Sequence, residues 1–113
     1  MKINIKPLSI NEAYRTQKNT TRYKTKEYIA YEKAMMFLLP NADLSRYNKI
    51  QLTLDIYVST KAFDIDNAIK PCQDLLQKKR NFNDNKIYRL IVTKHIVAKW
   101  DEWIGIQVDE IIS

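Results

Sequence analysis

Ile50-Gln51-Leu52-Thr53-Leu54-Asp55-Ile56-Tyr57-Val58 is the stretch that decides the fold. Ile50, Leu52, Leu54, Ile56 and Val58 alternate strictly with polar or amphipathic residues. A strand sends alternate side chains to opposite faces, so the pattern predicts a strand with one apolar face and one half-solvated face. Downstream, Ala68, Cys72, Leu75 and Leu76 recur at helical spacing and end near Arg80. Residues 87–97 are rich in β-branched and aromatic types, and Ile104, Ile106 and Val108 alternate after a turn over 99–102. Upstream, Tyr28, Tyr31, Ala34, Met35 and Leu38 predict an amphipathic helix over about 24–39, stopped by Pro40 and Asn41. Lys2 to Lys6 reads as a short strand ended by Pro7. The order is β-α-β-α-β-β. The expectation is an α+β fold, one small domain over residues 1–113, with a mixed sheet packed against helices. Its central β-α-β should be a right-handed parallel crossover and its last two strands an antiparallel hairpin.

A chain of 113 residues fits one core. Its 19 Lys and Arg against 13 Asp and Glu give a net charge of +6, so an anionic partner is the first expectation. Gly105 is the only glycine. A Walker phosphate loop, a dinucleotide-binding glycine motif and a G-x-S-x-G elbow each need several, so all three are excluded. Cys72 stands alone, which allows no intrachain disulfide and fits a reducing compartment. The longest apolar run, Ala34 to Leu39, is far too short to cross a bilayer. Together these predict a soluble, cytoplasmic protein with no membrane partner and no nucleotide cofactor.

The charge is uneven. Residues 1–33 carry +5, 34–60 carry 0, 61–99 carry +5 and 100–113 carry −4. Between Asn11 and Lys26, Arg15, Lys18, Arg22, Lys24 and Lys26 are interleaved with Tyr14 and Tyr23. That composition suits a loop lying on a phosphate backbone with aromatics free to stack on bases. A solvated surface loop explains it equally well.

The chemistry concentrates at Phe63-Asp64-Ile65-Asp66-Asn67-Ala68-Ile69-Lys70-Pro71. Proline is tolerated in or beside the first turn of a helix, which puts the helix start near Asp66 or Asn67. Asp64 and Asp66 would then leave the central strand in extended backbone and face one point, with Lys70 one turn into the helix. Two carboxylates and a cation at a strand-to-helix junction can hold a divalent metal and a phosphate. The structural alternative is that Asp66 or Asn67 caps the helix and Lys70 pairs with Asp74 at i,i+4. Asp84, in Asn81-Phe82-Asn83-Asp84-Asn85, is a third acid that local geometry does not bring to the same edge.

The spacing D-x-D-N-x-x-K at Asp64, Asp66, Asn67 and Lys70, followed by Asp84 before a β-branched strand, resembles the RusA-type Holliday junction resolvases. Pro7-Leu8-Ser9-Ile10-Asn11 with Tyr14-Arg15 is similar to that family's Pro-x-Ser-x-Asn opening. The resemblance implies a homodimeric, Mg²⁺-dependent endonuclease that nicks two opposed strands of four-way junction DNA in recombination and repair. It implies Asp64, Asp66 and Asp84 as metal ligands and Lys70 as the essential lysine. Phe63 stands where members often carry arginine, a DNA contact that Lys61 could supply, and Asn83-Asp84 stands where they often carry two acids.

On this reading one or two Mg²⁺ at the three aspartates activate water for in-line attack on phosphorus, and Lys70 stabilises the developing charge. The main alternative is a non-catalytic basic DNA-binding protein in which Asp64 and Asp66 only cap a helix. A small Mg²⁺-dependent nucleotide phosphohydrolase is a second. His95, the only histidine, rules out zinc sites built on His pairs and reads as a strand residue. Cys72, Met35 and Met36 read as core, and Trp100 and Trp103 as buried in the core or a dimer interface.

Overall fold

β4 (Ile50–Val58) is the axis of the molecule. In the computed structural model, which describes residues 1–9, 14–16 and 22–112, its five alternating apolar side chains are all buried and the residues between them half-buried. The other strands are β1 (Lys2–Ile3), β2 (Tyr14–Thr16), β3 (Arg22–Lys24), β5 (Ile87–Ile96) and β6 (Trp103–Glu110). The helices are α1 (Lys26–Leu38) and α2 (Ile65–Arg80), with single 3-10 turns at Asp84–Lys86 and Lys99–Asp101. One four-stranded mixed sheet has the order β1-β6-β4-β5. β5 runs parallel to β4, and β6 runs antiparallel to both β4 and β1. The expected element order and mixed sheet are therefore present.

The expected hairpin between the last two strands is not. β5 and β6 lie on opposite sides of β4, and residues 97–102 pass over its end. That crossing is pinned at three points. Val97 N–H donates to Val58 O at 2.9 Å, and Ser59 donates through both N–H and hydroxyl to Glu102 Oε2, at 2.8 and 3.0 Å. The crossover lets both edges of β4 be paired, and Ile104 and Ile106 of β6 join its inner row in the core. Trp100, on the crossing, is 86% exposed, so of the two expected places, core or dimer interface, the core is not the one it takes. β1 is shorter than the alternation from Lys2 to Lys6 suggested.

Both helices cover the inner face of the sheet. Tyr28, Tyr31 and Met35 of α1 and Ala68, Cys72, Leu75 and Leu76 of α2 share one cluster with Leu52, Leu54, Ile56, Ile104 and Ile106. α1 begins at an N-cap, Thr25, whose hydroxyl accepts from Tyr28 N–H at 3.2 Å. α2 ends at Asn81 in the left-handed region, φ 56°, with Lys78, Lys79 and Arg80 in its last turn, where the helix dipole favours cations. Lys79 Nζ donates to Met36 O at 2.7 Å, joining the C-terminal ends of the two helices. The helices therefore run in the same direction, and both N-termini lie at the end of the sheet where β4 finishes. Among the described residues no helix is long and apolar enough to cross a membrane.

The outer face carries a row of rings. Tyr57 stacks between Trp103 at 3.8 Å and His95 at 4.3 Å, and Lys2 Nζ lies 4.7 Å from the centre of Trp103. His95 Nε2 is 2.8 Å from Asp55 Oδ1. Gly105 sits opposite Asp55, where a Cβ would come within 3.2 Å of Asp55 Cβ and 3.3 Å of the Trp103 ring. The single glycine thus makes room for the row.

Cys72 is fully buried, and burial pushes its thiol up to about 12. Below the ordinary thiol pKa of about 8.5 folded and unfolded chains both keep the proton. Above it only the folded chain does, so this group withdraws stability as pH rises from about 8.5 toward 12. Native protein at pH 8 should leave Cys72 unmodified by iodoacetamide over hours, and the same thiol should react within minutes in denaturant, as read by mass spectrometry. Equal rates in both states would contradict the packing.

Candidate functional site

Six residues, 59–64, separate the end of β4 from α2, and this short link leads to the acids at the N-terminal end of the helix. The link is a turn in which Ala62 N–H donates to Thr60 Oγ1 at 3.2 Å and Phe63 N–H to Thr60 O at 3.3 Å. Lys94 fixes its far side. This lysine points inward from β5, and its Nζ donates to Lys61 O and Phe63 O, each at 3.0 Å. The ammonium therefore holds the two carbonyls that precede the first acid. Sequence reading missed Lys94, although its parity with Leu90 and Val92 on β5 marks it as an inward-facing lysine.

Asp64 occupies the N-cap position of α2 in extended backbone, φ −81° and ψ 121°, yet its side chain makes no capping hydrogen bond. Its carbonyl accepts from Asn67 N–H at 3.1 Å. Asp66 lies in the first turn rather than in extended backbone, because the helix begins at Ile65, earlier than expected. The reason is Pro71. It stands in the second turn, buried, and leaves the Asn67 carbonyl without its i+4 donor. Both carboxylates are exposed, and among the described residues neither has a hydrogen bond or ion pair.

Lys70 is on the same helix row as Asp66, at i,i+4, and continues it to Asp74, with Nζ 3.3 Å from Asp74 Oδ2. The row reads acid, base, acid along one exposed stripe. Lys61 is exposed beside the acids on the link.

Asp84 is elsewhere. It is exposed in the 3-10 turn that follows α2, at the end where β4 and β5 begin. A helix of 16 residues is about 24 Å long, and Asp84 lies beyond its far end. Leu44 N–H bonded to Arg80 O and Lys86 Nζ bonded to Ser45 O fix this turn at the start of β4. Asp64 and Asp66 therefore do not share a centre with Asp84 inside one chain, and the three-acid set is corrected to a pair and a distant third. The parallel crossover causes this, since it returns the chain to the opposite end of the sheet before β5 starts. Among the described residues no three His, Cys, Asp or Glu gather in a metal-holding group.

Arg15 and Arg22 do not lie in an open loop: their backbones pair across a two-stranded antiparallel ribbon, with Arg15 opposite Tyr23 and Thr16 opposite Arg22. Lys18 lies outside the described residues. Lys24 Nζ is 3.1 Å from Glu32 Oε2 and 5.3 Å from the Tyr28 ring centre, so this cation is held against α1. Lys26 is exposed as the first residue of α1. Because α1 and α2 run in the same direction, the ribbon adjoins the end of the molecule that carries Asp64 and Asp66. Basic strands and paired acids thus occupy one end of the sheet. A metal with hard oxygen preference that keeps most of its waters needs only one or two carboxylates and a substrate phosphate, and the Asp64–Asp66 pair fits that requirement. Neither a protein-family model nor a curated protein matches the chain.

Proposed function

We propose that the chain is a Mg²⁺-dependent endodeoxyribonuclease that nicks four-way DNA junctions as a homodimer, in recombination and repair. The observation that carries this reading is Asp64, a capping residue in position that does not cap, with Asp66 exposed two residues on, in the first turn. The fold makes no use of either carboxylate, which leaves both for a cation. Their place beside a basic ribbon supports a phosphate backbone as the substrate. Mg²⁺ there would neutralise phosphate charge and acidify water. Asp64 and Asp66 bind and orient, Lys94 positions the link that presents them, and Lys70 donates charge to the phosphoryl oxygens. Arg15, Lys18, Arg22, Lys24, Lys26 and Lys61 contact the DNA backbone. Asp84, a helix length away in its own chain, reaches the pair only from the second copy of the dimer. The Lys70–Asp74 ion pair favours the competing reading, a basic DNA-binding protein with a structural Lys70.

Asp66→Asn should lower nicking of a synthetic four-way junction in Mg²⁺ by at least about a hundredfold, the scale of losing one preorganised electrostatic group, while gel-shift binding persists. Unchanged nicking would remove the acids from the chemistry. Lys70→Ala should lower cleavage more than binding, and an equal loss in both would make it a phosphate contact.

Mixing two inactive variants separates shared from single-chain sites. Asp66→Asn combined with Asp84→Asn should recover nicking of one strand per mixed dimer, because one of its two sites then holds no substitution. No recovery after subunit exchange would place all three acids in one chain's site or Asp84 outside it.

Junction binding should weaken with salt, with a slope of about −0.9 per phosphate neutralised on duplex arms. A flat response in a titration from 50 to 300 mM NaCl would contradict a role for the basic ribbon.

A further inference from the structure

The crossing over the end of β4 forms one wall of a cleft whose other wall is the chain just after β1. The cleft has a volume of about 570 Å³ and is lined by Lys2, Asn4, Lys6, Trp100, Asp101 and Trp103. That volume falls in the range of about 300–1,000 Å³ found for small-molecule sites. Its two indoles differ in freedom. Trp103 is fixed, with Tyr57 stacked on it at 3.8 Å and 9° and Lys2 Nζ 4.7 Å from its ring centre. Trp100 is 86% exposed, and among the described residues no ring or cation packs on it. Lys99 is exposed beside it in the same turn, as are Asn4, Lys6 and Asp101 around the cleft. Glu102, the other acid of the crossing, is taken by Ser59.

We infer that this cleft binds an unpaired base of a DNA strand, with Trp100 stacking on the base and Lys6 and Lys99 contacting the phosphates beside it. The inference deepens the nuclease reading above, since it names a feature of the substrate, and rests on that reading for the choice of DNA as the polymer.

The surroundings of the ring decide the occupant. Cores of protein interfaces are depleted in lysine and aspartate, and a protein surface laid on Trp100 would bury Lys6, Lys99 and Asp101 with it. A nucleic-acid strand meets no such cost. Proteins hold unpaired bases by stacking them on open aromatic faces while lysines follow the backbone, and Trp100 among its lysines supplies both parts. Asn4 and Asp101 add an amide and a carboxylate, the groups that pair with the edges of adenine and cytosine. The rigid Trp103 closes the cleft, so a base entering it has a wall as well as a platform. Position agrees with chemistry. The crossing spans the end of β4 from which the link to Asp64 and Asp66 also leaves. A base already out of a duplex costs least to seat, so the cleft discriminates strands with free bases from intact helix.

The test uses the full chain in EDTA, where no nicking occurs, with three probes: an oligothymidylate of about twelve residues, an abasic strand of the same length, and a matched duplex. Trp100 and Trp103 are the only tryptophans, so emission reports on them alone. Wild-type emission should fall when oligothymidylate binds and stay level with the abasic strand. Trp100→Phe, which emits from Trp103 only, should bind oligothymidylate within about threefold of wild type without the fall. Trp100→Ala should lose at least about fivefold in affinity for oligothymidylate, the scale of one lost base–ring stack, and less than about twofold for the abasic strand. Wild-type emission that oligothymidylate leaves unchanged overturns the inference, whether the ring is idle or covered by a second copy. An equal loss on all three probes in Trp100→Ala overturns it too. Should Trp100→Ala fail to fold, the wild-type comparison of thymidylate with abasic strand decides. A chain that shows the quench yet never nicks a junction overturns the nuclease reading alone, and one that nicks without the quench overturns the base site alone.

Discussion

Everything in this molecule is referred to one strand. β4 is paired along its length on both sides, parallel to β5 and antiparallel to β6, and its inner side chains are all buried beneath two helices. With β5 and β6 on opposite edges of β4, the last two strands cannot form a hairpin. The chain must cross the end of β4 instead, and Ser59 and Glu102 secure that crossing. The link from β4 to α2 emerges at the same end. The crossing and the link therefore share an end with both helix N-termini. Loops at the carboxyl end of a central parallel strand are where open α/β sheets place ligands, for the same topological reason.

Charge follows from that placement. The two acids sit where the peptide dipoles of α2 favour negative charge, and cations of α2 gather in its last turn, at the other end. Lys94 of β5 is a cation drawn inward to the acid end. It is satisfied by two carbonyls and not by a carboxylate. That choice matters electrostatically, since a lysine paired to Asp64 or Asp66 would neutralise the group a metal needs. With its ammonium on Lys61 O and Phe63 O, Lys94 ties down the link and leaves both acids unpaired among the described residues.

The sequence was most legible where one physical pattern acts alone. Strict alternation located β4 to the residue, and the three- and four-residue spacing located α1 and α2 to within two. It was less legible where tertiary pairing decides. Nothing local distinguishes a hairpin from a crossing of six residues, because both need a turn over 97–102. Pro71 misled by the usual rule that proline belongs in the first turn. Here Pro71 is buried in the second turn despite the missing hydrogen bond, and the helix begins one or two residues earlier than that rule placed it. Trp100 was expected in the core or in a dimer interface, and it stands exposed on the crossing, outside the core of its own chain. The separation of Asp84 from the pair was foreseeable, since a parallel crossover always returns to the opposite end, but the list of acids by itself hides it.

The sole glycine links the composition to the outer face. Strands tolerate glycine poorly, because it costs backbone entropy and leaves nothing to pack. Gly105 persists opposite Asp55, where any Cβ would press on that side chain and on the Trp103 ring. Removing it would shift Trp103 off Tyr57, and Tyr57 is what lies against His95, the partner of Asp55. The outer row therefore acts as one packed unit from Lys2 on β1 to His95 on β5. It braces all four strands without a second layer of helices. A sheet braced in this way can leave its inner face to the core, its end to the acids and its β5 edge uncovered.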